Sequence, residues 1–147
     1  MFRGRYEYTI DTKGRISIPS KFREILNKKY DDRLVITNFD GCLIAFPNEE
    51  WNLMVEQKIG SVSIMKKEMS AFLRYFYSSA IDCAIDKHGR LLIPQTLREY
   101  ANLQKDVVLV GEGRFIEIFA KERWQEVMQQ VEGGFDQVRE TLANLGI

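Results

Sequence analysis

Two nine-residue stretches of the sequence carry the same arrangement of charged and turn-forming residues, DTKGRISIP at 11–19 and DKHGRLLIP at 86–94. In each stretch an aspartate stands four residues before an arginine, and a glycine directly precedes that arginine. An arginine guanidinium can pair with a carboxylate, bond the O6 and N7 atoms of guanine, or hold a phosphate. The pattern therefore admits two roles, a turn that stabilises the fold or a turn that binds an anionic partner.

The aspartate and arginine of each stretch flank a three-residue hairpin loop, TKG in the first and KHG in the second, so the strands on either side of each loop are expected to pair with each other. Loops of this length need a residue with positive φ, and the glycine stands at that position. We therefore predict that the Asp11 and Arg15 side chains meet across the loop. As an exposed ion pair this contact contributes only ~0.2–1 kcal/mol, so the main task of Asp11 is to orient the arginine. The residues assigned to this structural motif are Asp11, Gly14, Asp86, Gly89 and Arg90.

A turn that carries Lys13 and Arg15 at its tip has about the width of the two-stranded ribbons that enter the major groove of DNA. We predict that Arg15 contacts DNA, and that Lys13, Arg3 and Arg5 bind the DNA backbone from the same outward face. Residues 1–29 carry eight basic and three acidic residues, a net charge of +5, although the whole chain has a net charge of zero. A basic contact face on an acidic body has this distribution, and so does an ordinary solvated surface.

The two stretches belong to a longer internal duplication. Residues 10–26 align with residues 85–101 and share eight of 17 positions, and residues 34–51 align with residues 107–124. Each copy is predicted to run through a strand, a tight turn, a second strand, a short helix and a hairpin. One copy alone is too small to bury a core, so we expect the two to pack with pseudo-two-fold symmetry into one barrel-like α+β body.

The two copies are not equivalent in charge. Ser78 and Ala80 of the second copy align with Arg3 and Arg5 of the first. We therefore predict that the first copy dominates DNA contact, and that Arg90 either holds its own turn together or touches a neighbouring molecule. Two further arginines, each followed by a glutamate on a short helix, are expected to be ion-paired surface residues; they are Arg23 and Arg98.

The predicted organisation is a first repeat at 1–51, a helical linker at 52–78, a second repeat at 79–124 and a C-terminal helical segment at 125–147. Apolar residues fall at helical spacing in both additions. They are Met65, Met69, Phe72, Leu73 and Phe76 in the linker, and Phe135, Val138, Leu142 and Leu145 at the C-terminus. These helix faces are expected to cover their own β core or to pack against neighbouring subunits.

Composition excludes several classes of function. No apolar run approaches the ~20 residues of a membrane span, and the N-terminus does not resemble a signal peptide. Cys42 and Cys83 have no metal-ligand spacing and are predicted to be buried free thiols in a reducing cytoplasm. His88 is the only histidine and lies in a turn, which argues against histidine-based catalysis and multi-histidine metal sites. We expect no enzyme activity, no cofactor and no small-molecule substrate.

Two D-x-x-x-R turns, each followed by I-x-I-P or L-L-I-P, together with the N-terminal MFRG, resemble the MraZ family over essentially the whole chain. The resemblance implies two SpoVT/AbrB-type units of the swapped-hairpin kind in one chain. It also implies a cytoplasmic, nucleoid-associated regulator that binds short direct repeats of double-stranded DNA in the promoter of its own cell-division and cell-wall operon. The implied assembly is a ring-shaped homo-oligomer, and repression is the expected effect.

Two other functions remain open from the sequence. In the first, the chain is an oligomeric structural or protein-interaction module, and its turns only stabilise the fold. In the second, it acts as an antitoxin, as other AbrB-type proteins do. The duplication within one chain and the lack of a long disordered tail weigh against the antitoxin role.

Overall fold

The computed structural model describes residues 1–62 and 65–147, and its strands all pair in antiparallel fashion. The strands are β1 Arg5–Thr9, β2 Arg15–Ser17, β3 Arg33–Phe39, β4 Cys42–Pro47, β5 Ile81–Ala84, β6 Arg90–Leu92, β7 Asp106–Gly111 and β8 Ile116–Ala120. The helices are α1 Ser20–Lys29, α2 Asn48–Glu50, α3 Gln57–Ile59, α4 Lys67–Ser78, α5 Gln95–Tyr100, α6 Lys121–Gly133 and α7 Phe135–Asn144. A π-helical segment, Trp51–Glu56, joins α2 to α3. The protein is thus α+β, as predicted.

The two copies exchange strands. One sheet has six strands in the order β1-β7-β8-β4-β3-β5, and β2 pairs with β6 in a separate two-stranded sheet. Strand β1 of the first copy therefore pairs with β7 of the second, while β5 of the second pairs with β3 of the first. Strands β1 to β4 of the first copy correspond to β5 to β8 of the second. Exchange of each strand for its counterpart gives the same strand order read backwards, which is the pattern of a pseudo-two-fold axis. Neither copy completes its sheet alone.

This exchange corrects one expectation, that the strands on either side of each Asp–Arg turn pair as a hairpin. β1 and β2 both pair with strands of the other copy instead. The chain closes only at the turn itself, where the Asp11 N–H donates to the Arg15 carbonyl at 3.0 Å. The physical reason is burial, because the divergent strands place Tyr6 and Ile16 in one core shared by both copies.

That shared core lies between the two sheets and the short helices α1 and α5. Ile16, Phe22, Leu91 and Leu109 are fully buried in it. The side chains of β1 alternate between partly buried and exposed, as predicted for a half-buried strand. Each short helix begins directly after a proline, Pro19 before α1 and Pro94 before α5.

The outer face of the six-stranded sheet is covered by the helical additions. Trp51 and Phe76 stack on each other at 5.6 Å between ring centroids and pack over Phe46 and its neighbours. Trp124 of α6 packs edge-on against Phe119. The linker thus covers the protein's own β core with Phe76, whereas Met65 lies before α4 and is 89% exposed, contrary to its predicted place on the helix stripe.

The remaining expectations concern the C-terminal helix, the linker and the thiols. No side chain of α7 is fully buried in the described structure; of the predicted apolar face, Phe135 and Leu145 are exposed, whereas Val138 and Leu142 are partly buried. Part of the predicted linker, residues 63–64, lies outside the described residues. Both cysteines are free; Cys42 is buried and Cys83 is partly buried. Within the described ranges, no helix has the length and apolar character that a membrane crossing requires.

Candidate nucleic-acid interface

The first Asp–Arg turn holds its arginine through one carboxylate. Asp11 Oδ1 accepts the backbone N–H groups of Lys13 and Arg15, each at 2.9 Å, and Asp11 Oδ2 accepts the Arg15 Nε–H at 2.6 Å. Gly14 has φ +86°, the conformation for which glycine was predicted. The predicted meeting of Asp11 and Arg15 is therefore confirmed. Within residues 1–62 and 65–147 the Arg15 guanidinium bonds through its Nε–H alone, so the four N–H groups on its Nη atoms are available to a partner.

The second turn repeats this geometry almost atom for atom. Asp86 Oδ1 accepts the backbone N–H groups of His88 and Arg90 at 2.8 and 2.9 Å, and Asp86 Oδ2 accepts the Arg90 Nε–H at 3.2 Å. The backbone N–H of each arginine is the chief cause that lowers the pKa of the aspartate, Asp11 or Asp86, below its ordinary value. Both carboxylates are therefore ionised at neutral pH and hold their arginines in a fixed direction.

Pairing of β2 with β6 brings the two arginines onto one surface. In this ribbon Arg15 stands opposite Leu92 and Ser17 stands opposite Arg90, while Ile16 and Leu91 between them point into the core. We call the outward surface formed by Arg15, Ser17, Arg90 and Leu92 the ribbon face. Arg15 and Arg90 are diagonal neighbours on it, and such neighbours lie about 7–8 Å apart. The sequence alone did not reveal this juxtaposition, because it follows from the strand exchange.

The other predicted DNA-binding residues are distributed differently. Lys13 is exposed at the tip of the first turn. Arg5 lies at the opposite end of β1, about 20 Å along the strand from the turn at ~3.3 Å per residue, and its guanidinium stacks over the Trp124 ring at 5.7 Å. Arg3 lines a cleft with Lys21 and Glu24 beside α1. The structure therefore does not place Arg3 and Arg5 beside Arg15.

Arg23 and Arg98 are not the ion-paired surface residues that the sequence suggested. Among residues 1–62 and 65–147, neither has a carboxylate within ion-pair distance. Their Nε–H groups donate to backbone carbonyls instead, Arg23 to Ile18 at 3.2 Å and Arg98 to Ile93 at 2.9 Å. Each bond is local, because it reaches the carbonyl five residues earlier in the same copy, and the strand exchange places each guanidinium against the turn of the other copy.

Each of these arginines covers the glycine of the other copy's turn. A Cβ atom added to Gly14 would lie 2.7 Å from the Arg98 guanidinium, and one added to Gly89 would lie 2.7 Å from that of Arg23. The contact continues through the backbone, since the Gly14 carbonyl accepts the Ile93 N–H at 2.9 Å. The turn that presents Arg15 is therefore supported by the second copy, and the turn that presents Arg90 by the first.

A buried ion pair that the sequence analysis missed also joins the two copies. Glu50 is 4% exposed, and its carboxylate accepts the Tyr30 hydroxyl at 2.7 Å and the Arg114 Nε–H at 2.6 Å. Burial and this bond to Glu50 raise the pKa of Tyr30 to about 12. Arg114 is 64 residues from Glu50 in the sequence, so no short-range sequence pattern predicts the pair. Its role is to hold the β7–β8 turn against the first copy.

The described residues contain no group of three or more histidine, cysteine, aspartate or glutamate side chains placed to hold a metal ion.

One carboxyl outside the ribbon face has a raised pKa. Burial, followed by the neighbouring Glu112, raises the pKa of Glu117 to about 7. Its Oε2 atom accepts the thiol of Cys42 at 3.6 Å. This group lies on β8, away from β2 and β6.

Comparison with known proteins identifies the same duplication. The model of a protein family described as "MraZ protein, putative antitoxin-like" matches the chain twice, at residues 1–75 and 76–145. The chain is 42% identical to the "Transcriptional regulator MraZ" of Pediococcus pentosaceus over the full length of both chains. Identically named proteins of Ligilactobacillus salivarius and Caldanaerobacter subterraneus subsp. tengcongensis are 42% and 40% identical over the full length of both chains.

Proposed function

The chain belongs to the MraZ family, and from this premise we propose that it is a sequence-specific DNA-binding transcriptional regulator that presents the ribbon face to the major groove. The observation that carries the proposal is the fixed geometry of Arg15. Asp11 accepts both the backbone N–H and the Nε–H of Arg15, and this pair of bonds leaves the Arg15 Nη atoms directed at a partner. A fork of this kind is the usual reader of guanine O6 and N7.

In this proposal the basic residues divide between reading bases and binding phosphates. Arg15 bonds a guanine edge, and Lys13 at the tip of the same turn binds the adjacent phosphate. Arg3 and Arg5 lie too far from the turn to share those contacts, so they bind the DNA backbone about 20 Å away, less than one helical turn, or within a neighbouring site. Arg90 has the same internal geometry as Arg15, and its position on the ribbon face supports a second contact to DNA from the same protomer.

We propose that the β body is the swapped-hairpin barrel of AbrB-type proteins, doubled within one chain; the exchange of strands between the copies supports this. The protomers form a ring-shaped homo-oligomer, for which the exposed Phe135 of α7 and the exposed Leu145 just after it offer a contact surface. Each protomer supplies few phosphate contacts, so several protomers must bind together, and salt weakens the complex steeply.

The proposed target is a set of short direct repeats in the promoter of the protein's own cell-division and cell-wall operon, which it represses. The protein acts in the cytoplasm, associated with the nucleoid. Repeats spaced by about one helical turn, ~10 bp, keep successive ribbon faces on one side of the duplex. Binding across a promoter in this way blocks access of the polymerase.

A second candidate function is an oligomeric interaction module, and the uncovered apolar residues of α7 favour it. In that case these helices recruit a partner protein and the Asp–Arg turns serve only the fold. The antitoxin-like description of the family fits a partner protein as well. The two functions differ in one result, because only the regulator retains a defined DNA sequence through Arg15.

The test compares wild type with Arg15→Ala on sheared DNA from the source genome, with the retained DNA sequenced at rising salt. Arg123→Ala is the matched control, since Arg123 is comparably exposed, is ion-paired to Glu126, and lies on α6 at the outer face of the sheet. We expect one upstream region with short direct repeats to be enriched by wild type and Arg123→Ala. Arg15→Ala should lose that enrichment while it still elutes as an oligomer. Uniform salt-labile retention by wild type would refute the specific regulator.

A further inference from the structure

We infer that Leu92 is a specificity-determining residue that contacts the 5-methyl group of a thymine next to the base bound by Arg15. The inference rests on the proposed DNA binding and adds to it a second recognition element of different chemistry, supplied by the other copy. It assigns to one side chain the discrimination between a thymine and a base that lacks the methyl group.

Leu92 is exposed where its neighbours are buried. It is 57% exposed, whereas Leu91 and Ile93 on either side of it are fully buried in the shared core. The alternation of β6 therefore directs Leu92 outward onto the ribbon face. An apolar side chain of this size, exposed on a charged surface beside Arg15, adds nothing to the core of the protomer.

Strand register places Leu92 directly opposite Arg15. The Cβ atoms of directly opposed residues lie about 4.5–5.5 Å apart, and successive bases on one strand are about 3.4 Å apart. An arginine bonded to guanine and a leucine beside it therefore reach neighbouring base steps of the major groove. The thymine 5-methyl is the one apolar group that base edges present there, and apolar side chains are its usual contacts.

The corresponding position of the first copy holds Ser17, opposite Arg90. The ribbon face thus carries an arginine with a leucine at one end and an arginine with a serine at the other. A serine accepts or donates a hydrogen bond but offers little apolar surface, so only the Arg15 end can select for the methyl group. This difference ties Leu92 to the turn that is proposed to dominate DNA contact.

The surroundings of Leu92 argue against a second protomer as its partner. A two-fold contact through the ribbon face would bring Arg15 and Arg90 of both protomers together. In the described part of the chain each arginine is paired with its aspartate through Nε, and the Nη groups would meet like charges across such an interface. An anionic double helix satisfies the same groups, and its major groove supplies the methyl for Leu92.

The test uses one DNA fragment in two chemical forms. The region upstream of the gene that encodes this protein is amplified once with dTTP and once with dUTP, which removes every thymine methyl and keeps every base pair. Wild type is expected to prefer the thymine fragment by about fourfold in competition for each methyl buried. Leu92→Ala should bind both forms equally, with an affinity near that of wild type for the uracil form.

Leu53→Ala is the matched control, because Leu53 is also an exposed leucine but lies in the π-helical segment over the outer face of the sheet. It should keep the wild-type preference for thymine. A preference that persists in Leu92→Ala, or a change of oligomeric size in that variant, would overturn the inference. Specific binding by wild type with no preference between the two forms would overturn this inference alone. Failure of wild type to bind either form above bulk DNA would instead refute the proposed function.

Discussion

Replacement of Arg98 by alanine should loosen the turn of the other copy, the one that presents Arg15. The Arg98 guanidinium lies against Gly14, and its Nε–H bonds the carbonyl of Ile93, whose own N–H bonds the Gly14 carbonyl. Arg98→Ala removes the cover and one charge-assisted hydrogen bond. Such a bond contributes about 1–2 kcal/mol when it is only partly buried. The expected increase in local opening of the first turn is therefore about 5–30-fold.

Amide hydrogen exchange resolves the effect without any DNA. Peptides that cover residues 11–15 should exchange faster in Arg98→Ala, while those that cover residues 86–90 should be unchanged. Arg23→Ala is the matched control, because Arg23 makes the equivalent contact to Gly89. It should show the reverse pattern, with faster exchange at residues 86–90 only.

Each variant is therefore expected to affect only the turn of the copy that does not contain the substitution. Faster exchange in the turn of the same copy as the substitution, or an equal effect of both variants on both turns, would show that the arginines do not support the opposite turn. DNA affinity gives a second readout. Because preorganisation of the Arg15 turn is lost, Arg98→Ala should bind promoter DNA about tenfold more weakly, and Arg23→Ala should lose less.

Two further predictions concern stability. Arg114→Ala leaves the buried Glu50 carboxylate with only the Tyr30 hydroxyl, and the free energy of unfolding in urea should fall by about 2–3 kcal/mol. Addition of Glu50→Gln should recover part of that loss, and a fall below about 0.5 kcal/mol would show that the pair does not hold the copies together. Burial raises the pKa of Glu117 from 4.5 to about 7, so the folded protein binds a proton that the unfolded chain releases. The stability from this group is present below pH 4.5 and is lost as the pH rises through about 7. Glu117→Gln should remove a decline of about 1 kcal/mol, after allowance for solvent screening of a partly exposed carboxyl; an unchanged pH profile of thermal unfolding would contradict it.

Local geometry at the turns could be predicted from the sequence because it depends on residues only a few positions apart. An aspartate and an arginine at this spacing, with glycine before the arginine, have one compact way to satisfy the loop's N–H groups. The contacts of Asp11 with Lys13 and Arg15 and the positive φ of Gly14 follow from it. The alternation in β1 and the buried positions of Ile16 and Leu91 follow from strand periodicity in the same way.

Strand partners could not be predicted in this way. The alternation of apolar residues in β1 is the same whether the strand pairs with β2 in a hairpin or with β7 of the other copy. The choice is decided by which arrangement buries both copies in one core, and that is a property of the whole chain. Everything that depends on the exchange was therefore missed, including the support of Gly14 by Arg98 and the bond between Glu50 and Arg114.

The strand exchange also explains how the two copies can differ in sequence and still require each other. Arg98 and Ile93 of the second copy support the turn that presents Arg15, so these positions serve the first copy's function. The outward-facing positions of the second copy do not support that turn, so they can differ from those of the first copy. Leu92 occupies the position that corresponds to Ser17. A two-fold symmetric face would read a palindrome, because the symmetry of a bound site mirrors that of the protein. The backbone of the ribbon face follows a pseudo-two-fold axis, but the side chains at its two ends differ, with Leu92 at one end and Ser17 at the other. A protomer bound through this face therefore has a defined orientation along the DNA. Protomers that bind side by side with one direction require sites repeated in one direction, so the asymmetry of the ribbon face agrees with the direct repeats proposed as the target.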